Sequence, residues 1–131
     1  MANIEVLTVT IANGQSLSSA VDLGDRILLA VQMPASWTAA QLSFQASNDG
    51  SNFGTLKDFS APSGASPEIA TVGNVGGGDY VALGNIPDAI WRSVGWLKVR
   101  SGSASAPTNQ GAERTVYLIT KPGSCSLSVS C

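Results

Sequence analysis

Short runs of alternating apolar and polar residues fill nearly the whole chain, and this alternation is what most constrains the fold. A period of two places successive side chains on opposite faces of a β-strand, and clusters of Gly, Asn, Ser and Pro separate the runs. The clearest predicted strands are Glu5–Ile11, Arg26–Met33, Gln41–Ser47, Tyr80–Leu83, Trp96–Ser101 and Arg114–Thr120. Weaker strands bring the total to eight or nine, with no convincing helix. The sequence predicts an all-β fold, an antiparallel β-sandwich of jelly-roll type.

The chain has 131 residues, which predicts one domain with a real hydrophobic core. We place the sandwich at residues 1–122 and a C-terminal tail at residues 123–131, because Pro122 and Gly123 are typical of the end of a strand. The run Arg26–Met33 is apolar on both faces, so we expect it to be a central strand that is covered on both sides.

Composition argues against several classes of function. The seven basic residues form no run, so the electrostatic footprint of a nucleic-acid-binding protein is missing. No apolar stretch approaches the roughly 20 residues that span a bilayer, and the N-terminus lacks the pattern of a secretory signal. We therefore expect no nucleic acid or membrane partner and synthesis in the cytoplasm. Charged residues make up 12% of the chain, and a surface this poor in charge suits packing against a protein or a glycan, or reflects a compositional habit.

No residue set suits catalysis or metal binding. The chain has no His, and its serines have no nearby Lys to serve as a general base, so we expect no enzyme, no catalytic residue and no cofactor. Asn48, Asp49 and Asn52, helped by Asp79 or Asp22, are the only candidate Ca²⁺ ligands. Their spacing fits no defined calcium loop, and an Asx-type turn explains them better, so no metal site is predicted.

The predicted interface residues are Trp96, Lys98 and Arg100. They alternate with Leu97 and Val99 in one strand, so they share the face opposite these core residues. Trp37 and Trp91 occur in connections, where we expect them to close the ends of the sandwich. A sugar-binding platform built from the three tryptophans is the alternative.

The tail has a pattern of its own. Cys125, Leu127, Val129 and Cys131 alternate with serines, which is typical of an amphipathic strand. The ends of such a strand lie about 20 Å apart, too far for a Cys125–Cys131 disulfide, which needs Cα atoms within about 7 Å. We expect Leu127 and Val129 to dock onto an adjacent subunit, with any disulfide of Cys125 or Cys131 intermolecular. A frayed terminus is the alternative.

Several segments together resemble a group of small β-sandwich virion proteins of tailed bacteriophages. The likeness spans roughly residues 8–120 and is carried by Pro34–Ser47, Asn48–Phe53, Trp96–Gly102, Pro107–Gln110 and Arg114–Leu118. The hairpin Ser47–Gly50 also resembles, more weakly, the corresponding turn of discoidin-like, carbohydrate-binding jelly rolls.

The phage resemblance implies a structural protein on the virion, made in the host cytoplasm. Our first hypothesis is a capsid decoration, or cement, protein on the capsid surface, which binds the major capsid protein as a symmetric homo-oligomer, with a trimer favoured. One alternative is a receptor-binding or fibre-attachment module that recognises glycans through the loops Ser60–Glu68 and Ser101–Ala112. Another is a head–tail or tail component.

Overall fold

The computed structural model describes residues 4–59, 67–83, 86 and 88–123. Eight strands and one short helix account for the regular structure of this part of the chain. In chain order they are β1 Glu5–Ile11, β2 Val21–Asp22, β3 Arg26–Gln32, β4 Leu42–Ser47, β5 Gly54–Thr55, β6 Tyr80–Ala82, α1 Asp88–Arg92, β7 Trp96–Ser101 and β8 Arg114–Pro122.

The strands form two four-stranded antiparallel sheets. Sheet A has the order β1-β8-β3-β6, and sheet B has the order β2-β7-β4-β5. The first strand, β1, pairs with the last strand, β8. Every connection between consecutive strands crosses from one sheet to the other, except the connection from β4 to β5. The predicted antiparallel β-sandwich is confirmed, and its strand order is that of an eight-stranded jelly roll.

The core lies between the sheets and consists of the inward residues of the alternating strands. Leu118 and Val31 face each other in sheet A, and Phe44 and Val99 do so in sheet B, all completely buried. In β4 the alternate positions are polar, Ser43, Gln45 and Ser47, as expected for a period of two. Alternation therefore identifies the core-facing residues of the long strands.

Strand β3 is central in sheet A, between β8 and β6, as its sequence predicts. Its register with β8 shifts between Leu28 and Ala30, so one extra residue, Leu29, enters the ladder. Such a bulge interrupts the strict alternation of faces. Ile27 and Leu28 are both buried, as are Ala30 and Val31, and the two members of each pair point to opposite faces of the sheet, so residues on both faces of β3 are buried.

The helix α1 corrects the expectation that the chain lacks helices. It has five residues, too few for a period of 3.6 residues to appear in the sequence. Its Trp91 is 1% exposed and packs edge-on against Phe44 of sheet B, with ring centroids 5.4 Å apart. Asp88 in the first turn and Arg92 in the last turn suit the helix dipole. Burial of Trp91 is what holds this turn in place.

Candidate interaction surfaces

The three predicted interface residues lie together on the outer face of sheet B. Trp96, Lys98 and Arg100 pair with Ser47, Gln45 and Ser43 of β4, on the side opposite the buried Leu97 and Val99. The face predicted from the sequence is therefore the one they occupy, but each of the three also contacts another part of the chain.

Arg100 is only 6% exposed and is engaged within the chain. Its Nε donates a hydrogen bond to Ser43 Oγ at 2.9 Å, and its Nη2 lies 3.0 Å from Glu68 Oε2. The Glu68 side chain is itself largely buried, at 17% exposure. A charge that is neutralised and covered in this way holds the protein together and is poorly placed to meet a partner.

Glu68 also brings two connecting segments together. Its Oε2 accepts a second hydrogen bond, at 2.9 Å, from the backbone N–H of Ala104. The end of the loop Ser60–Glu68 therefore contacts the loop Ser101–Ala112, the other loop predicted for glycan recognition, at this carboxylate. Residues 60–66 of the first loop lie outside the described residues.

Lys98 and Trp96 are half-buried against the β4–β5 hairpin. The Lys98 ammonium lies 4.5 Å from the centroid of the Phe53 ring, a cation–π contact. The Trp96 ring covers Gly50, which has a φ of 79°, and a Cβ atom at that position would come within 3.0 Å of the ring. Glycine at residue 50 thus allows both the left-handed turn and the close approach of the indole.

The candidate calcium ligand Asp49 is fully used by its own turn. Its Oδ1 accepts hydrogen bonds from the backbone N–H groups of Ser51 and Asn52 at 2.8 and 2.9 Å, and its Oδ2 accepts one from the Asn52 amide at 2.8 Å. The Ser47 hydroxyl also donates to Oδ1, at 2.9 Å. These bonds, led by those from the backbone of Asn52 and Ser51, hold the pKa of the Asp49 carboxyl well below its usual range.

The two additional carboxylates, Asp22 and Asp79, serve turns elsewhere. Asp22 accepts a hydrogen bond from the N–H of Gly24 at 2.8 Å, and Asp79 accepts one from the N–H of Gly76 at 2.7 Å. Within the described residues, no three His, Cys, Asp or Glu side chains are grouped so that they could hold a metal ion.

The tryptophans do not share one surface. Trp91 is buried in the core, and Trp37 is half-buried and packs against the core cluster. The indole N–H groups of both are buried without a hydrogen-bond partner. With Trp91 inside and Trp96 on the outer face of sheet B, a platform built from all three rings is not formed.

Sequence reasoning missed the outer face of sheet A, which carries three of the six large hydrophobic side chains that are exposed in the described part of the chain. Val6 is 51% exposed, Tyr80 60% and Tyr117 40%. Strand pairing arranges this face in two adjacent rows, Thr8–Tyr117–Gln32–Tyr80 and Val6–Ile119–Ala30–Ala82. We call these eight residues the apolar face. It is about 14 Å wide at the usual strand spacing, and neither row contains a charged side chain.

A signal for the apolar face was present in the sequence. In β1 and β8 the residues that alternate with the core residues point outward, and on a face exposed to water these positions are usually polar. Here three of them are the apolar residues Val6, Tyr117 and Ile119. The face becomes visible only when β1 and β8 are known to be neighbours, because each strand alone contributes one or two such residues.

A cavity of about 420 Å³ opens beside β6, which forms one edge of sheet A. It is lined by residues 70–75, which run beside β4, and by Val81, Ala82, Leu83 and Ile86. We call it the β6 groove. None of its lining side chains is charged, and Val72 at its rim is fully exposed.

Comparisons with protein-family models, with curated proteins and with solved structures gave no match to this chain. The part of the chain that the structure describes contains no helix of the length and apolarity needed to cross a membrane. The tail residues Cys125, Leu127, Val129 and Cys131 lie outside the described residues, so their predicted roles remain predictions.

Proposed function

We propose that this protein is a structural component of a tailed-bacteriophage virion and that it decorates the capsid surface. In this role a symmetric homo-oligomer, with a trimer favoured, binds the major capsid protein across the seams between capsomers. The oligomer adds buried surface area at the seams, where internal pressure would separate the capsomers. This role needs neither catalysis nor a cofactor.

The apolar face is the observation that carries the proposal. Interface centres are depleted of charged residues and enriched in aromatic ones, and the two rows of the apolar face have this composition. Exposed apolar area on a soluble sandwich indicates a surface that another protein covers. A broad face on a rigid sheet also suits a partner that is itself a large, fixed surface.

Binding to undecorated capsid shells tests the proposal. Val6→Lys and Tyr117→Lys each place a charge on the apolar face at a partly exposed position, so the fold should be kept. We expect each to weaken cosedimentation with the shells by about tenfold or more, because a buried, unpaired charge opposes association. Phe59→Lys is the matched control, since Phe59 is 79% exposed and lies outside the apolar face.

Equal binding of all three variants, with melting temperatures unchanged, would argue against the apolar face as the attachment surface. Failure of the unmodified protein to bind shells would argue against decoration itself. In virions, a decoration protein should approach the major capsid protein in copy number when stained gels are quantified.

A glycan-binding or receptor-binding module of the virion is the second candidate. It is favoured by the hydrogen bond that joins Ala104 to Glu68 and so holds the two loops in contact. This candidate predicts few copies per particle and binding to immobilised glycans. Such binding should be lost when Glu68→Gln weakens the contact between the loops.

A further inference from the structure

We propose that residues 125–131 of one copy add as a β-strand to the free edge of β6 in a neighbouring copy, with Leu127 and Val129 in the β6 groove. This inference deepens the self-association part of the proposed function by naming the contact that makes it. It is tested on the isolated protein, so its failure would leave attachment to a capsid untouched.

Within the described residues, strand β6 has an open edge on the side away from β3. Met33 N–H donates to Asp79 O at 2.8 Å, and Leu83 N–H donates to Leu29 O at 3.1 Å. Hydrogen-bonded pairs alternate along an antiparallel ladder, so the backbone N–H and C=O groups of Tyr80 and Ala82 point away from β3. In the described part of the chain, β3 is the only strand that pairs with β6. An edge of this kind is a template for another strand.

The β6 groove lies where the inward side chains of an added strand would fall. Val81 faces the core side of sheet A with its partner Val31, and Leu83 is 7% exposed and belongs to the core. A strand placed beside β6 would continue sheet A and direct every second side chain toward these residues and Val75. The groove therefore suits an extended segment with apolar residues at alternate positions.

The tail is a segment of this chain that has the required pattern. From Cys125 to Cys131 every second residue is apolar or Cys, the others are serines, and no side chain is charged. This matches the uncharged lining of the β6 groove. A strand that adds to a sheet edge gains affinity from main-chain hydrogen bonds and specificity from alternate side chains.

Geometry favours exchange between copies. Gly123, the last described residue, donates its N–H to Asp25 O beside the start of β3. Strand β8 lies two strand spacings, about 10 Å, from β6, with β3 between the two strands. Helix α1 packs against β3. A tail that reached its own groove would have to cross this region. A tail that enters another copy avoids the crossing, and repeated donation around a ring gives a closed oligomer such as a trimer.

Two full-length variants separate donor from acceptor. Val72→Asp changes the groove at a fully exposed position, and the double variant Leu127→Asp/Val129→Asp changes the tail. Sedimentation equilibrium should show that each self-associates about tenfold or more weakly than the unmodified protein, with melting temperature unchanged. Phe59→Asp, an exposed aromatic residue outside the groove, is the matched control and should associate normally.

Mixing the two variants is the decisive step. The Val72→Asp chain has an intact tail, and the tail variant has an intact groove, so one intact donor meets one intact acceptor. We expect a one-to-one complex from two components that each self-associate only weakly on their own. Absence of this complex, or an unmodified protein that is monomeric at all attainable concentrations, would overturn the proposal. So would self-association that neither set of substitutions weakens.

Discussion

Trp91 and Trp96 are close in sequence but lie in opposite environments, and this sets their expected contributions to stability. Trp91 is 1% exposed and contacts Phe44, so Trp91→Ala should cost about 3–5 kcal/mol of unfolding free energy. Trp96 is half-buried on an outer face, and Trp96→Ala should cost about 1–2 kcal/mol. Urea unfolding measures both. Equal losses would contradict the ranking, and oligomer mass tests whether Trp96 also serves assembly, as the sequence suggests.

The Asp49 turn predicts a pH dependence. The folded-state pKa of Asp49 lies below its ordinary value of 3.8, so the carboxylate stabilises the fold above that pH. This contribution should be lost as pH falls below about 4, toward the folded-state pKa. Thermal melts from pH 6 down to pH 2 should show less acid sensitivity for Asp49→Asn than for the unmodified protein. Glu113→Gln, which removes an exposed carboxylate outside this turn, is the control.

At the scale of elements, the Arg100–Glu68 pair ties a loop segment to sheet B. Both side chains are largely buried, so removing one partner leaves an uncompensated charge, and Glu68→Ala should cost about 3–5 kcal/mol. The double variant Arg100→Met/Glu68→Ala should recover part of that loss, because no charge then remains buried. A double-mutant cycle of urea unfolding measures the coupling. Additive losses would show that the pair has no energetic role.

At the scale of the whole molecule, the first and last strands complete one sheet. Glu5 of β1 pairs with Thr120 of β8, and β8 also pairs with β3. The sandwich should therefore unfold as one cooperative unit. Leu118→Asp buries an unpaired charge where exposure is 0%, and it should remove several kcal/mol from a total of about 5–15 kcal/mol.

Tyr117→Asp is the matched control for Leu118→Asp. It changes the adjacent residue of β8, which is 40% exposed on the apolar face. Circular dichroism and melting temperature should show a folded protein, with a loss of no more than about 1 kcal/mol. A Leu118→Asp protein as stable as the Tyr117→Asp protein would contradict the assignment of inner and outer faces.

The sequence by itself determined six of the eight strands, their inward residues and the Asx turn at Asp49. Each of these depends on a local pattern, since alternation shows which side of a strand is buried and a turn is built from adjacent residues. The bounds of β1 and β7 agree with the prediction, and β3, β4, β6 and β8 differ from it by one or two residues at their ends.

Tertiary structure alone decided the features that join distant parts of the chain. The apolar face exists because β1, β8, β3 and β6 become neighbours, and the β6 groove exists because residues 70–75 come to lie beside that edge. Arg100 was predicted at an interface because its position in the alternation faces outward. It is instead covered, because Glu68, from a segment distant in sequence, packs against Arg100 and forms an ion pair with it. Alternation specifies which side of a strand a residue faces, but only the packed chain determines what covers that side.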